Sequence, residues 1–304
     1  MIKKFIIIVS CITALCVASA GGFAYYLYSY AKNTANKMHE PLKKDTDHPK
    51  PELTGKKKKP ISILLLGVDE RKGDRGRSDT MIVMTLNPKK NSMLMFNIPR
   101  DTRTEIVGKG TFDKINHAYA FGGPQMAVDT AEKFLNAPID YYIKVNMEAL
   151  SQIVDSLGGI TVYNPISWED EGVYKKGYIY KKGEISLNGS QTLGYVRMRH
   201  LDDRGDFGRQ ERQRQVISAI VDKGAHLSSF TKIDDILDVL GNQVKTNLTF
   251  NEMKDIQKNY AGVRHHVESF EVKGQGKMIN NIWYLLVSDQ ERKQITEKMR
   301  QSLS

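Results

Sequence analysis

Beyond residue 30 the chain contains no cysteine, because Cys11 and Cys16 are the only two and both lie near the N-terminus. A disulfide framework and thiol catalysis are therefore closed to the rest of the chain. The sequence also lacks a G-x-x-x-x-G-K-[ST] phosphate loop, a G-x-S-x-G nucleophile elbow and an H-E-x-x-H zinc helix. His117 and His200 stand singly and the His265-His266 pair stands apart, which argues against zinc. No internal repeat is visible.

Charge is missing altogether from residues 5–30, a mostly apolar run. At about 1.5 Å rise per residue that run makes roughly 39 Å of helix, enough to cross a hydrocarbon core with some tilt. Tyr25, Tyr26, Tyr28 and Tyr30 cluster at its far end, where an aromatic belt belongs. Residues 1–4 carry Lys3 and Lys4 and are expected to stay in the cytoplasm. A cleaved signal peptide is the competing reading, since Ala18-Ser19-Ala20 suits cleavage. The apolar run continues ten residues past that point, which favours an uncleaved single-pass anchor over 5–30. Either reading exports the remainder.

The formal charge of +10 is misleading until it is divided by position. Residues 1–60 hold eleven lysines against Glu40, Asp45, Asp47 and Glu52, leaving +7 there and only +3 for the other 244 residues. A near-balanced, exported domain does not call for nucleic acid. Residues 31–60, lysine-rich and broken by Pro41, Pro49, Pro51 and Pro60, read as an extended extracytoplasmic linker.

From Ile61 the pattern changes. Ile61–Leu66 is a short apolar run of the kind buried on both faces of a sheet. Strands are expected at Met81–Leu86 and Met93–Ile98, joined by a hairpin loop at Asn87–Asn91. Helical periodicity covers Gln125–Leu135 and Met147–Leu157, with a strand at Tyr141–Val145 between them. A hairpin excursion follows at Lys175–Gly183, then a long helix from about Gly208 to Leu227. Helices near Ile233–Leu240 and Asn251–Tyr260, strands near Val267–Val272 and Trp283–Val287, and a helix from Asp289 complete the series. Residues 61–304 therefore read as one α/β domain whose mixed central sheet is covered on both faces.

Arginine is distributed unlike lysine. Of fourteen arginines, five fall between Arg71 and Arg103 and six between Arg197 and Arg214, a window with no lysine. Acids accompany both: Asp69, Asp74, Asp79 and Asp101 in the first, Asp202, Asp203 and Asp206 in the second. The bland explanation is two surface ion-pair networks. The sharper one is a single polyanion site, because arginine's planar fork matches phosphate oxygens bidentately. Asp69 and Arg100 lie just past the carboxyl ends of expected strands, where open α/β sheets bind ligands. Arg77 and Asp79 share a face if extended, as do Arg197 and Arg199. Arg209, Arg212 and Gln213 share a face of a helix for which Asp206 is a suitable N-cap. Hard oxygen donors such as Asp69 and Asp79 suit Mg²⁺ completed by substrate phosphates.

Five dispersed motifs in order then carry a resemblance: Leu65-Leu66-Gly67-Val68-Asp69, Gly76-Arg77-Ser78-Asp79-Thr80, Ile98-Pro99-Arg100-Asp101-Thr102, Lys114-Ile115-Asn116-His117-Ala118-Tyr119, and Tyr195-Val196-Arg197-Met198-Arg199 with Gly205–Gln213. Over about residues 61–230 the chain resembles the LytR-CpsA-Psr family, most of all its Bacillus-type wall teichoic acid transferases. The resemblance implies a three-layer α/β/α sandwich preceded by a single N-terminal transmembrane helix, with the catalytic domain outside the cell membrane. It implies transfer of an anionic wall polymer from undecaprenyl pyrophosphate to the C6 hydroxyl of N-acetylmuramic acid in peptidoglycan. Under it, Asp69 and Asp79 hold Mg²⁺, and Arg77, Arg100, Arg197, Arg199, Arg209 and Gln213 bind the pyrophosphate. Asp79, Arg100 and Arg77 are the expected catalytic residues. The family also buries its prenyl tail in an apolar channel, which the sequence does not distinguish from ordinary core. Two other functions use the same residues: a lipid-linked pyrophosphatase with water as acceptor, and a non-catalytic surface protein holding anionic wall polymer.

Overall fold

A computed structural model of the chain describes residues 21–46, 50–53, 58–70, 76–225 and 233–304. Residues 5–20 of the expected membrane span, both cysteines, and Arg71, Asp74 and Arg75 lie outside the described residues. No helix among the described residues is long and apolar enough to cross a membrane.

Six strands form the central sheet in the order β11-β6-β1-β2-β3-β12. They are β1 (Ile61–Val68), β2 (Ser78–Asn87), β3 (Ser92–Asn97), β6 (Tyr141–Asn146), β11 (Val244–Thr246) and β12 (Val267–Phe270). All eight residues of β1 are buried, as its unbroken apolar run predicts. β1 runs parallel to β6 and antiparallel to β2, which is antiparallel to β3; β3 in turn is parallel to β12. The carboxyl ends of β1, β3 and β6 and the amino end of β2 therefore share one edge of the sheet.

Side-chain alternation along the strands supplies two cores. Leu64, Leu66, Met81, Val83 and Phe96 face α2 (His117–Leu135) and α8 (Asp289–Ser302). Ile61, Ile63, Leu65, Ile82, Met84 and Met95 face the opposite way, toward Ile217 of α5 (Asp206–Ala225) and Met253 and Ile256 of α7 (Phe250–Asn259). Layers of helix on both faces make this the expected α/β/α arrangement of a mixed sheet. A third cluster joins α3 (Met147–Ser156), α4 (Gly189–Arg197) and α5 to the β7–β10 hairpin (Ile160–Asn164, Gly183–Leu187).

Three expectations need correction. The expected helix at Gln125–Leu135 is the second part of α2 (His117–Leu135); non-helical Gly123 (φ 66°, ψ −154°) before Pro124 separates it from a short first part that the periodicity does not show. The strand near Trp283 is β14 (Ile282–Leu286), which pairs with β13 (Gln275–Ile279) in a separate hairpin outside the central sheet. The described part of the expected linker is packed against the domain. Residues 21–38 form a helix, α1, whose Thr34, Ala35 and Met38 are buried, and Leu42 and Leu53 enter the two cores. Polar composition concealed this, because a few apolar residues among lysines suffice to dock the segment.

Candidate active site

The shared edge of the sheet collects the first arginine window. A register shift between Gly67 and Val68 pairs Thr80 with Gly67 and Ser78 with Val68, leaving Asp79 as the extra, bulged residue. A bulge re-aims a side chain and terminates regular pairing. Gly76 has φ +67°, and a Cβ there would lie 2.3 Å from the Asp69 carbonyl oxygen. Only glycine permits this close return, which sets the end of β1 beside the start of β2. Asp69 and Asp79 consequently flank one strand pair.

Asp79 accepts a hydrogen bond from Arg100 Nη1 at 2.8 Å. Arg100 follows β3 and Pro99, and its Nε lies 3.7 Å from Asp101. Burial works against the Arg100 charge, but Asp79, then Asp101 and Asp206, outweigh it and raise its pKa above the usual guanidinium value. The field of Asp206 on Arg100 brings the second window into the same site, since Asp206 opens α5. It pairs with Arg209 and lies 3.8 Å from Arg199 Nε. Asp206 is thus the first residue of the helix and serves the arginines, and its second carboxylate oxygen accepts from Gln210 at 2.8 Å.

Arg209 is paired with Asp206 yet sits among more positive than negative charge. Burial lowers its pKa; Asp206 opposes this, while Arg100 and Arg199 push it lower still. The Nε atoms of Arg100 and Arg209 are both buried without a hydrogen-bond partner. Buried donors are ordinarily satisfied. Several crowded cations with unused donors are stabilised by an incoming polyanion. Arg197 and Arg77 are exposed and have no ion-pair partner among the described residues. Arg197 ends α4, and Met198 leaves the helix at ψ 132°, so the buried Met198 divides Arg197 from the half-buried Arg199. The extended backbone that a shared ligand requires is therefore present at one residue only. Among the described residues there is no group of three or more His, Cys, Asp or Glu able to hold a metal ion.

Several supporting roles were not assigned from the sequence. The Lys114–Tyr119 motif braces the first window: Lys114 binds Asp101 at 2.6 Å, and the Asn116 amide donates to the Arg100 carbonyl at 3.3 Å. Buried Tyr119 donates to Glu70, which Lys144 also holds at 3.0 Å, fixing the residue next to Asp69. Arg212 is a positioning residue. It is 1% exposed, donates to the carbonyls of Tyr195 (3.2 Å) and Met198 (2.7 Å), and pairs with Asp202 at 2.5 Å. These contacts fix the chain that carries Arg197 and Arg199. Burial raises the Asp202 pKa, but the Arg212 hydrogen bond and the Arg204 amide win and lower it overall.

Arg212→Ala would take the buried ion-pair partner from Asp202, leaving its carboxylate the Arg204 amide, and costs about 3–5 kcal/mol. Urea denaturation is expected to show that loss at pH 7. Because the folded Asp202 pKa is depressed, its stabilisation is complete above the unfolded carboxyl value near ~3.9 and fades as pH falls through the lower folded value. The gap between wild type and Arg212→Ala should therefore shrink in strong acid.

Beside the arginines lies an apolar cavity of about 290 Å³, walled by Leu65, Ile82, Ile143, Leu150, Val216 and Ile217. Gln213, one helical turn beyond Arg209, lines it. Gly67 lines it as well, and a Cβ there would come 2.9 Å from that of Thr80. Cationic cluster and apolar cavity thus adjoin along α5. Gln213 accepts from Asn97 at 3.3 Å, and Asn97 accepts from Arg214 at 2.7 Å. A buried asparagine inside the apolar run Met93–Ile98 was the available signal for this link.

Comparison with known proteins agrees with this architecture. The polyisoprenyl-teichoic acid–peptidoglycan teichoic acid transferase TagU of Bacillus subtilis (strain 168) is 50% identical over 301 residues, covering 99% of this chain and 96% of the relative. The crystal structure of B. subtilis TagU superposes with a TM-score of 0.66 at 50% identity, over 81% of this chain and 98% of that one. A structure of TagT bound to LI-WTA is 29% identical, covers 87% of this chain and 99% of its own, and has a TM-score of 0.71. The LytR_cpsA_psr family model matches residues 25–301. The chain belongs to the LytR_cpsA_psr family.

Proposed function

We propose that this protein is a wall-polymer transferase that moves an anionic polymer from undecaprenyl pyrophosphate to the C6 hydroxyl of N-acetylmuramic acid in peptidoglycan. The observation that carries the reading is the union, along α5, of a cation cluster with an apolar cavity, which suits a lipid with a diphosphate head. The prenyl chain occupies the cavity and its diphosphate meets Arg100, Arg199 and Arg209, with Arg77 and Arg197 closing from the exposed side. Their donors neutralise the charge that builds as phosphorus is attacked. The acceptor hydroxyl bonds to the polymer-side phosphorus as the bridging P–O bond of the diphosphate breaks. Undecaprenyl phosphate leaves on the bridging oxygen and takes up the proton that the hydroxyl releases.

Asp69 and Asp79 would hold Mg²⁺. Two carboxylates at the ends of one strand pair fit an ion that takes few protein ligands and completes its shell with phosphate oxygens and water. When bound, the ion supplies further charge neutralisation at the diphosphate. Anchorage by residues 5–30, with the domain on the outer face of the cell membrane, belongs to the same proposal.

The test incubates the full chain in micelles with a lipid-pyrophosphate glycan, Mg²⁺ and peptidoglycan fragments, and reads products by mass spectrometry. A glycan–peptidoglycan phosphodiester is expected, lost in excess chelator and restored by Mg²⁺. Free glycan phosphate alone would establish the pyrophosphatase alternative, and full transfer in excess chelator would remove the metal.

A further inference from the structure

One wall of the apolar cavity comes from outside the α/β sandwich. Met38, the last residue of α1, lines it together with Leu240 of α6 (Ile233–Gln243) and Val244 of β11. α1 reaches that wall because its withdrawn positions Leu27, Ala31, Thr34, Ala35 and Met38 fall on one helix stripe. The helix is tied down along its length. The Tyr30 hydroxyl donates to Asp238 of α6 at 2.5 Å, and Lys245 donates to the Lys37 carbonyl at 2.7 Å. Just past the helix, the Glu40 amide donates to the Thr246 carbonyl at 2.7 Å. A Cβ on Gly241 of α6 would lie 3.3 Å from Thr34 Cγ2, so the two helices close where α6 has no side chain.

The cavity runs from the arginine edge to this wall. Gly67, Thr80 and Gln213 line it beside the arginines, whereas His39, next to Met38, bridges to Thr246 of the edge strand β11. β11 is three strands from β2, which at about 4.8 Å per strand sets Met38 roughly 15 Å across the sheet from the strand of Asp79. Exposure also changes along the cavity side of α5: Val216 is fully buried, Ile217 and Ile220 are half-buried, and Val221 is 40% exposed. The cavity is therefore sealed near Gln213 and opens at the end of α5 remote from Arg209. In the other direction α1 enters the proposed membrane anchor, where residues 21–26 are all exposed, Phe23, Tyr25 and Tyr26 among them. From Tyr26 to Met38 is about 18 Å of helix. One docked helix thus joins the bilayer side to the lipid cavity. A prenyl chain that follows it keeps apolar surface out of water, at about 25 cal/mol per Å².

We propose that α1 is a fixed wall of the donor site: Met38 packs on the distal isoprene units of the prenyl chain, which passes along α1 between the cavity and the bilayer. The inference rests on the lipid-donor reading above and adds to it a binding role for the helix that follows the anchor.

The test uses the full chain in nanodiscs with an undecaprenyl phosphate that carries a photoactivatable diazirine in a distal isoprene unit, and locates the label by peptide mass spectrometry. Label is expected at Met38 and Leu240 and should disappear under excess unlabelled undecaprenyl phosphate. Met38→Trp, which pushes into the cavity, should weaken undecaprenyl phosphate at least roughly tenfold, one overpacked contact being worth that much. Geranyl phosphate, too short to reach Met38 from the arginines, should lose less than about twofold. A Cβ on Gly241 would lie 3.9 Å from Thr34 Cα, within reach of a disulfide. Thr34→Cys with Gly241→Cys, combined with Cys11→Ser and Cys16→Ser, therefore ties α1 to α6. The oxidised protein should bind undecaprenyl phosphate within about twofold of the reduced one, because locking a wall that does not move changes no equilibrium. Absence of competed label on α1, equal loss of both lipids in Met38→Trp, or loss of binding on oxidation would overturn the proposal. Competed label on α1 in a chain that transfers nothing would keep the wall and remove the transferase reading. Transfer without that label would do the reverse.

Discussion

Asp79→Ala is expected to reduce transfer by roughly a thousandfold or more, about 4 kcal/mol in the barrier, without unfolding the protein. Asp79 is the bulged residue at the amino end of β2 and is bonded to Arg100 at 2.8 Å. Its side chain is 44% exposed, so its removal opens no cavity in the core. Two functional contributions disappear together: the carboxylate assigned to Mg²⁺ and the contact that orients Arg100. Asp79→Asn separates them, since an amide can still accept from Arg100 but is a poor ligand for a hard cation. If the metal dominates, Asn and Ala should be equally inactive at any Mg²⁺ concentration. If orientation dominates, Asn should recover much of the activity. Asp69→Ala is expected to be milder at high Mg²⁺, because one carboxylate remains. Thermal melts within a few degrees of wild type are the control. An Asp79→Ala protein that melts normally and transfers at more than a tenth of the wild-type rate would remove Asp79 from the chemistry.

What could be read ahead of the structure divides along physical lines. β1, β2 and β3 were legible because burial on both faces writes a continuous apolar run, and β1 is buried at every position, whereas the three-residue edge strand β11 was not read. That Asp69 and Arg100 share one edge of the sheet needed strand directions, which the antiparallel pairings of β1 with β2 and of β2 with β3 supply. Asp79, Arg100, Arg199 and Arg209 could be grouped ahead of the structure because arginines gather in two windows with acids beside them, and the structure brings these four to one place. Asn97 and Glu70 were missed, since they act through neighbours and their type alone says nothing. Arg212 was visible but its role was not: only its contacts with Asp202 and the carbonyls at the end of α4 show that it positions the other arginines. The polar segment before Ile61 misled because docking needs a few apolar contacts, such as Met38 and Leu53, and not a run of them.

Lysine should fail in place of Arg100 and Arg209 although it keeps the charge. Each of these guanidiniums spends one donor on a neighbouring carboxylate and holds a buried, unpartnered Nε. A planar fork can bind Asp79 or Asp206 on one side and a phosphate oxygen on another; an ammonium on a flexible stem keeps the attraction and loses the second directed bond. Turnover is expected to fall roughly tenfold to a thousandfold for Arg100→Lys and Arg209→Lys, about 1.4–4 kcal/mol per transition-state contact. Arg197→Lys, exposed and without an ion-pair partner among the described residues, should fall nearer the lower end, because water screens what it contributes. Exposed Arg300→Lys on α8 should change turnover less than about twofold. Arg212→Lys is the informative contrast. Its guanidinium grips two carbonyls and Asp202 in the interior, so the loss should appear as lowered melting temperature together with lowered turnover. Arg209→Lys should lower turnover with a far smaller change in stability, since burial and two neighbouring cations already disfavour its charge in the free protein. Uniformly mild effects across Arg100, Arg209 and Arg300 would mean that the clustered arginines bind polyanion only as diffuse charge, and the directed clamp would have to be abandoned.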